Sequence, residues 1–233
     1  MAISRWLQTL LPASCLLCGA RADHAQLCTG CRQELPTLQA ACPRCAEPMV
    51  QPGESLCGKC QSSLPAFECV YSPFHYDPPV SNLILQLKFG HKLYVARALG
   101  MLLADYLSHA LHHQPNLIIP VPMHPSRMGR RGFNQALELA RPVQQALDAP
   151  IAATLVHRIK LTPPQVGLNA TQRQHNVRGA FALHKPLQGA PAVLVIDDVM
   201  TTGATANSLA RTLLRQGASR VSIATIARAR DSH

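Results

Sequence analysis

Three short apolar runs, at residues 117–121, 193–196 and 221–227, have the length and the Val/Ile content of strands covered on both faces. Between and before them the apolar residues recur at helical spacing. The pattern predicts helices over 80–87, 93–111, 134–147 and 206–215. Residues 67–76 alternate as a strand and stop at the breaker Asp77-Pro78-Pro79, and 151–159 also reads as a strand. Lys88-Phe89-Gly90-His91 separates the first two helices, and 121–133 reads as a loop rich in Arg and Gly. Residues 160–178 are polar and aperiodic. Strands alternating with helices predict an α/β fold: a mainly parallel sheet flanked by helices.

The first 65 residues follow neither rhythm. Cys15/Cys18, Cys28/Cys31, Cys42/Cys45 and Cys57/Cys60 are four C-x-x-C knuckles within 46 residues. A C-x-x-C turn places two thiolates on adjacent corners of a tetrahedron, and two turns complete a four-cysteine zinc site. Disulfides are the alternative, but the strict spacing and the lack of a secretory signal disfavour them. The spacing predicts two structural zinc ions. Consecutive pairing of the knuckles is the simpler arrangement, with a cross-braced one left open. Four thiolates close each site, so its work is to fold a segment too small to bury a core. A boundary near Ser62-Ser63-Leu64-Pro65 divides a cysteine-rich domain over 1–65 from an α/β domain over 66–233. Cys69 stands alone in an apolar stretch and reads as a small buried hydrophobe.

Composition narrows the partners. The net charge of +10 favours a polyanion, whether a phosphorylated small molecule, a nucleic acid or an anionic membrane. No apolar run is long enough for a membrane span. The amino-terminal stretch is interrupted by Gln8 and Thr9 and reads as a short amphipathic helix, which points to a cytoplasmic protein. Aromatic residues make up 4% of the chain, too few for a strong base-stacking platform.

The chemistry concentrates after the second apolar run. Residues 193–196 carry the chain through the sheet and deliver Asp197 and Asp198 at its carboxyl end, where open α/β folds bind ligands. Thr201, Thr202, Gly203, Ala204 and Thr205 then lead into a helix. Their amides and hydroxyls suit a phosphate at a helix N-terminus, and the two carboxylates suit the hydroxyls of a ribose. Response regulators also end a strand in paired aspartates, but they lack the T-T-G-A-T cradle. The segment resembles the phosphoribosyl pyrophosphate (PRPP) motif of type I phosphoribosyltransferases. Upstream, Arg127, Arg130 and Arg131 follow a buried strand and suit a diphosphate, because guanidinium groups pair with phosphate oxygens.

With the stretch from Arg127 through Gly132-Phe133-Asn134-Gln135 and the segment 165–181, the whole chain resembles the ComF/GntX family of phosphoribosyltransferase-like proteins associated with competence and DNA utilisation. The resemblance implies a type I phosphoribosyltransferase fold behind zinc ribbons, with PRPP as ligand and magnesium held largely by it. Asp197, Asp198, Arg127 and Arg173 would carry catalysis, with Arg173 in a catalytic hood over 160–178. The acceptor would be a base or nucleotide, unidentified. A non-catalytic protein that senses PRPP or binds DNA, single-stranded DNA included, is the alternative. Lys88 reads as a solvated lysine, and His109 and His113 as surface residues.

Overall fold

The structure is a computed structural model and describes residues 14–51, 53, 55–160 and 179–230. The amino-terminal helix expected before residue 13, and Arg173 with the rest of 161–178, lie outside the described residues. The elements in chain order are α1 (Thr29–Gln33), α2 (Gly58–Ser62), β1 (Val70–Tyr71), β2 (Phe74–His75), α3 (Val80–Gly90) and α4 (Leu93–Ala110). They continue with β3 (Leu117–Pro120), α5 (Pro125–Arg131), α6 (Gln135–Leu147), β4 (Val156–Arg158), β5 (Phe181–Leu183), β6 (Ala192–Met200), α7 (Ala204–Arg215) and β7 (Arg220–Arg228).

The main sheet is wholly parallel, in the order β1-β7-β6-β3, with β2 continuing the β1 edge along β7. Alternation along β6 explains its two coats. Leu194 and Ile196 face the layer of Leu87, Leu99, Leu103 and Leu139 from α3, α4 and α6. Val193 and Val195 face Leu209, Ala210 and Leu213 of α7, which recur at the helical spacing of one apolar stripe. Helices α4 and α6 cross closely at Gly100, where an added Cβ would stand 2.8 Å from the Leu139 carbonyl oxygen and 2.9 Å from Pro142 Cγ. The mainly parallel sheet flanked by helices is the architecture the resemblance implied.

Several elements differ from the sequence expectation, each for a local reason. Of the strand expected over 151–159 only β4 forms, and it pairs antiparallel with β5 in a separate two-stranded ribbon. Residue 151 makes a lone parallel bridge to Ile118 instead. The strand expected over 67–76 is split in two at Ser72-Pro73, where proline lacks a ladder donor. Helix α3 runs through Lys88 and Phe89 to Gly90, and His91 ends it in the left-handed conformation at φ 52°. Part of the expected Arg/Gly loop winds into α5, which has Pro125 at its start and Gly132 (φ 76°) at its end.

The cysteine-rich front is fastened to both sides of the sheet. Cys15, Leu27 and Leu35 join the core layer of α3, α4 and α6, whereas Cys42, Cys45, Cys60 and Phe67 join the layer of α7. Between them the chain runs along the sheet edge, where Leu38 N–H donates to the Pro73 carbonyl and His75 N–H to the Pro36 carbonyl, both at 2.8 Å. His24 Nε2 reaches Asp105 of α4 at 2.6 Å.

Candidate functional site

The eight cysteines form two separate clusters: Cys15, Cys18, Cys28 and Cys31, then Cys42, Cys45, Cys57 and Cys60, each with sulfurs within 4.8 Å of one another. The pairing is consecutive. A Zn–S bond of about 2.3 Å requires tetrahedral S···S edges of roughly 3.8 Å. Cys18 and Cys28 sulfurs lie 3.7 Å apart and those of Cys45 and Cys57 3.5 Å apart. Backbone N–H groups point at the sulfurs, from Cys31 to Cys28 at 3.5 Å and from Cys57 to Cys42 at 3.3 Å. Burial pushes the Cys15 thiol up, but N–H groups of Cys18, Cys28 and Leu17 outweigh it and hold the thiol down at about 6. The donor set fits a structural zinc ion in each cluster, which would supply cross-linking and charge neutralisation.

A cavity of about 760 Å³ opens at the carboxyl end of the sheet, between the ends of β3 and β6 and the N-terminus of α7. Strand β6 extends beyond Ile196, so Asp197 and Asp198 are still in the strand. Strand β3 ends at Pro120, opposite Ile196, and β6 runs on past it with amides that its own side chains satisfy. The carboxylates accept them: Asp198 N–H donates to Asp197 Oδ1 at 2.9 Å, and Val199 N–H to Asp198 Oδ1 at 2.8 Å. These local bonds set the direction of both acids. Burial, reinforced by the neighbouring charge of Asp198, raises the Asp197 carboxyl to about 7.

Lys88, expected in solvent, belongs to this site. Its Nζ stands 2.9 Å from Asp198 Oδ2, with the two side chains 22% and 6% exposed. Burial pushes its ammonium toward neutrality, but the Asp198 carboxylate outweighs that and raises it. The signal was present in the spacing: Lys88 follows Ile84 by one helical repeat, so it continues the buried stripe of α3 rather than its solvated face. Arg158 at the end of β4 also lines the cavity and was missed: a strand over 151–159 was expected, but not the antiparallel pairing with β5 that brings its last residue to the site. Tyr76, Phe89, His91 and Gln135 also line the cavity.

The expected diphosphate arginines all arrive. Arg127, Arg130 and Arg131 line the same cavity as Asp197 and Asp198. Asn134 holds their segment at both ends, since its Nδ2 donates to the Val121 carbonyl at 3.1 Å and its Oδ1 caps α6 through Ala136 N–H at 3.0 Å. Arg131 is fixed by a 2.8 Å bond to Gln135 Oε1 and lies over the Phe89 ring. Five cationic side chains thus face two carboxylates, counting Lys88, Arg127, Arg130, Arg131 and Arg158 against Asp197 and Asp198. Such a balance suits a multiply charged anion.

Thr201, Gly203, Ala204 and Thr205 line the cavity, while Thr202 faces the groove behind it. Gly203 sits at φ 75° as the N-cap of α7, and the Thr202 hydroxyl accepts the Ala204 N–H at 3.4 Å. The first turn of this twelve-residue helix therefore opens toward the aspartates, a geometry that binds anions. Among the described residues no helix is long and apolar enough to cross a membrane.

Residues 6–61 match the model of a double zinc ribbon domain. The chain is 36% identical over 219 residues to DNA utilization protein YhgH of Shigella flexneri, covering 91% of this chain and 96% of that one. It is 33% identical over 223 residues to competence protein F of Haemophilus influenzae (92% and 96% covered). Competence protein ComFC of Bacillus subtilis is 26% identical over 200 residues (82% and 79%). Among solved structures, a purine phosphoribosyltransferase from Pyrococcus horikoshii aligns with 56% of this chain and 70% of its own, at 19% identity and a TM-score of 0.35.

Proposed function

The chain belongs to the ComF family of competence and DNA-utilisation proteins, and on that footing we propose that its cavity binds PRPP with magnesium and transfers the phosphoribosyl group to an acceptor. One observation carries the proposal: five cations surround Asp197 and Asp198 beside the phosphate cradle at the start of α7. Asp197 and Asp198 accept the ribose hydroxyls. The amides of residues 201–205 hold the 5-phosphate. Arg127, Arg130, Arg131 and Arg158 hold the diphosphate and stabilise its charge as the bond from C1 of the ribose to oxygen loosens. The acceptor, a base or nucleotide, attacks C1 as the diphosphate departs.

Magnesium supplies positive charge to the leaving diphosphate. The carboxylates present suit a metal held mostly by the ligand's own oxygens, since Lys88 already occupies Asp198 Oδ2. Binding of PRPP hands the Asp198 carboxylate to the ribose and frees the Lys88 ammonium for a phosphate oxygen.

Calorimetry of PRPP binding with magnesium, followed by a pyrophosphate-release screen over bases and nucleotides, tests the reading. Binding that weakens at least about tenfold in Asp198→Ala supports the site, because one of the two carboxylates that accept the ribose hydroxyls is removed. Binding unchanged by that substitution overturns it. Binding without pyrophosphate release under any acceptor turns the protein into a PRPP sensor.

A second groove, of about 910 Å³, favours a nucleic-acid role beside the first. It runs between the second cysteine cluster and α7, lined among the described residues by Lys59, Arg211, Arg215 and the buried Arg228 and by no carboxylate. Affinity for single-stranded DNA that falls steeply with salt, and falls further in Arg211→Ala/Arg215→Ala, is the expected result. A salt-insensitive or absent interaction excludes it.

A further inference from the structure

Arg228 lies outside the PRPP cavity, and nothing in the proposed chemistry uses it. Yet this charged residue, at the end of β7, is only 2% exposed. Its guanidinium is divided between two parts of the molecule far apart in sequence. Nε donates to the carbonyl of Cys45 at 3.2 Å, and Nη2 pairs with Glu47. Nη1 donates to the carbonyl of Met200 at 3.2 Å and also to that of Ala229. Cys45 is a ligand of the second metal cluster, and Glu47 belongs to the same knuckle, where its carbonyl accepts Cys42 N–H at 2.9 Å. Met200 is the last residue of β6 before the phosphate cradle.

Met200 passes the restraint onward. Its carbonyl accepts Ala229 N–H as well, at 2.9 Å, so both strands and the guanidinium fix its backbone. Its side chain is buried beneath the loop, where a Cβ on Gly203 would stand 2.6 Å from Met200 Cε. A continuous path of contacts therefore runs from Cys45 through Arg228 and Met200 to Gly203.

We infer that Arg228 is a positioning residue that makes the second metal knuckle a support for the phosphate-binding loop. The ligand of that loop rests on the function proposed above; the mechanical link does not. A guanidinium suits the task because its rigid fork serves three carbonyls and a carboxylate at once, which lysine cannot do. Glu47 offsets its charge, so removing Glu47 leaves a buried cation without its carboxylate partner.

Three full-length variants, Glu47→Ala, Arg228→Met and Arg228→Lys, test the link, with zinc content, amide hydrogen exchange and magnesium–PRPP binding measured on each. Glu47 is not a metal ligand and its side chain is 19% exposed, so Glu47→Ala disturbs less packing than either Arg228 variant, and zinc content and exchange in α6 show whether each chain is folded. The expected result is exchange over residues 199–206 about tenfold faster, within the usual range for coupling between sites. Exchange in α6 stays unchanged, zinc stays at two per chain, and PRPP binding weakens by a similar factor. Unchanged exchange at 199–206, or acceleration spread equally over α6, overturns the inference. If the parent chain binds no PRPP while loop exchange still rises in the variants, the coupling stands and the phosphoribosyl reading falls.

Discussion

At the scale of single residues, the site depends on charges held close together under partial burial. Asp197 illustrates the consequence for pH. Its carboxyl rises from 3.8 to about 7 in the folded chain, so the fold binds a proton there that the unfolded chain has released. Its contribution to stability is therefore fully present below about pH 4 and is lost as the pH climbs through about 7. The proposed PRPP binding has the opposite sign, because ribose hydroxyls are donors and need the carboxylate. PRPP affinity is expected to fall by up to about tenfold per unit below pH 7, with proton release seen by calorimetry in buffers of different ionisation enthalpy. Asp197→Asn should flatten that dependence.

Lys88 makes a second test at this scale. Lys88→Met leaves two neighbouring carboxylates without their nearest cation, and the expected outcome is PRPP binding weakened by about ten- to a hundredfold, read by calorimetry. The aspartate pair and the loop after it were legible in the sequence as a strand end leading into a helix, and both line one cavity. Lys88 was not, because an isolated lysine is usually solvated and only its place on the buried face of α3 says otherwise.

At the scale of elements, the short apolar runs announced β3, β6 and β7, which lie in one sheet and are buried over most of their length. What the sequence left out are pieces whose partners are distant or whose sides are polar. Helix α5 has no buried residue, so no periodicity marks it. Strand β5 is three residues long and exists through its pairing with β4, the one piece of the strand expected over 151–159 that forms. Packing between elements also yields a stability test. Gly100→Ala places a methyl against the backbone of α6, and overpacking of this kind costs about 1–3 kcal/mol. Gly203→Ala meets the tip of Met200 and, in ordinary contact, Phe67, and must hold φ at 75°, which costs roughly 1–2 kcal/mol. Both should lower the melting temperature in calorimetric scans, with Gly203→Ala alone also disturbing the cradle.

At the scale of the molecule, the four C-x-x-C knuckles were legible as two metal sites because tetrahedral thiolate geometry dictates their spacing. Their placement was not, since contacts such as Cys15 with the α4 side and Cys45 with the α7 side join residues more than eighty positions apart. The expected division at residue 65 thus separates sequence styles while the two parts share both core layers. The segment between the knuckles lies along β2, the outer margin of the sheet, with Thr37 bridged antiparallel to Phe74. That margin would otherwise present unpaired amides and carbonyls to any other extended chain. Zinc at either end of the segment would therefore act as a guard against self-association as well as a fold-holder. Chelation of the metal is expected to yield a species that scatters light and sediments as oligomers, instead of a monomer with a loosened front end.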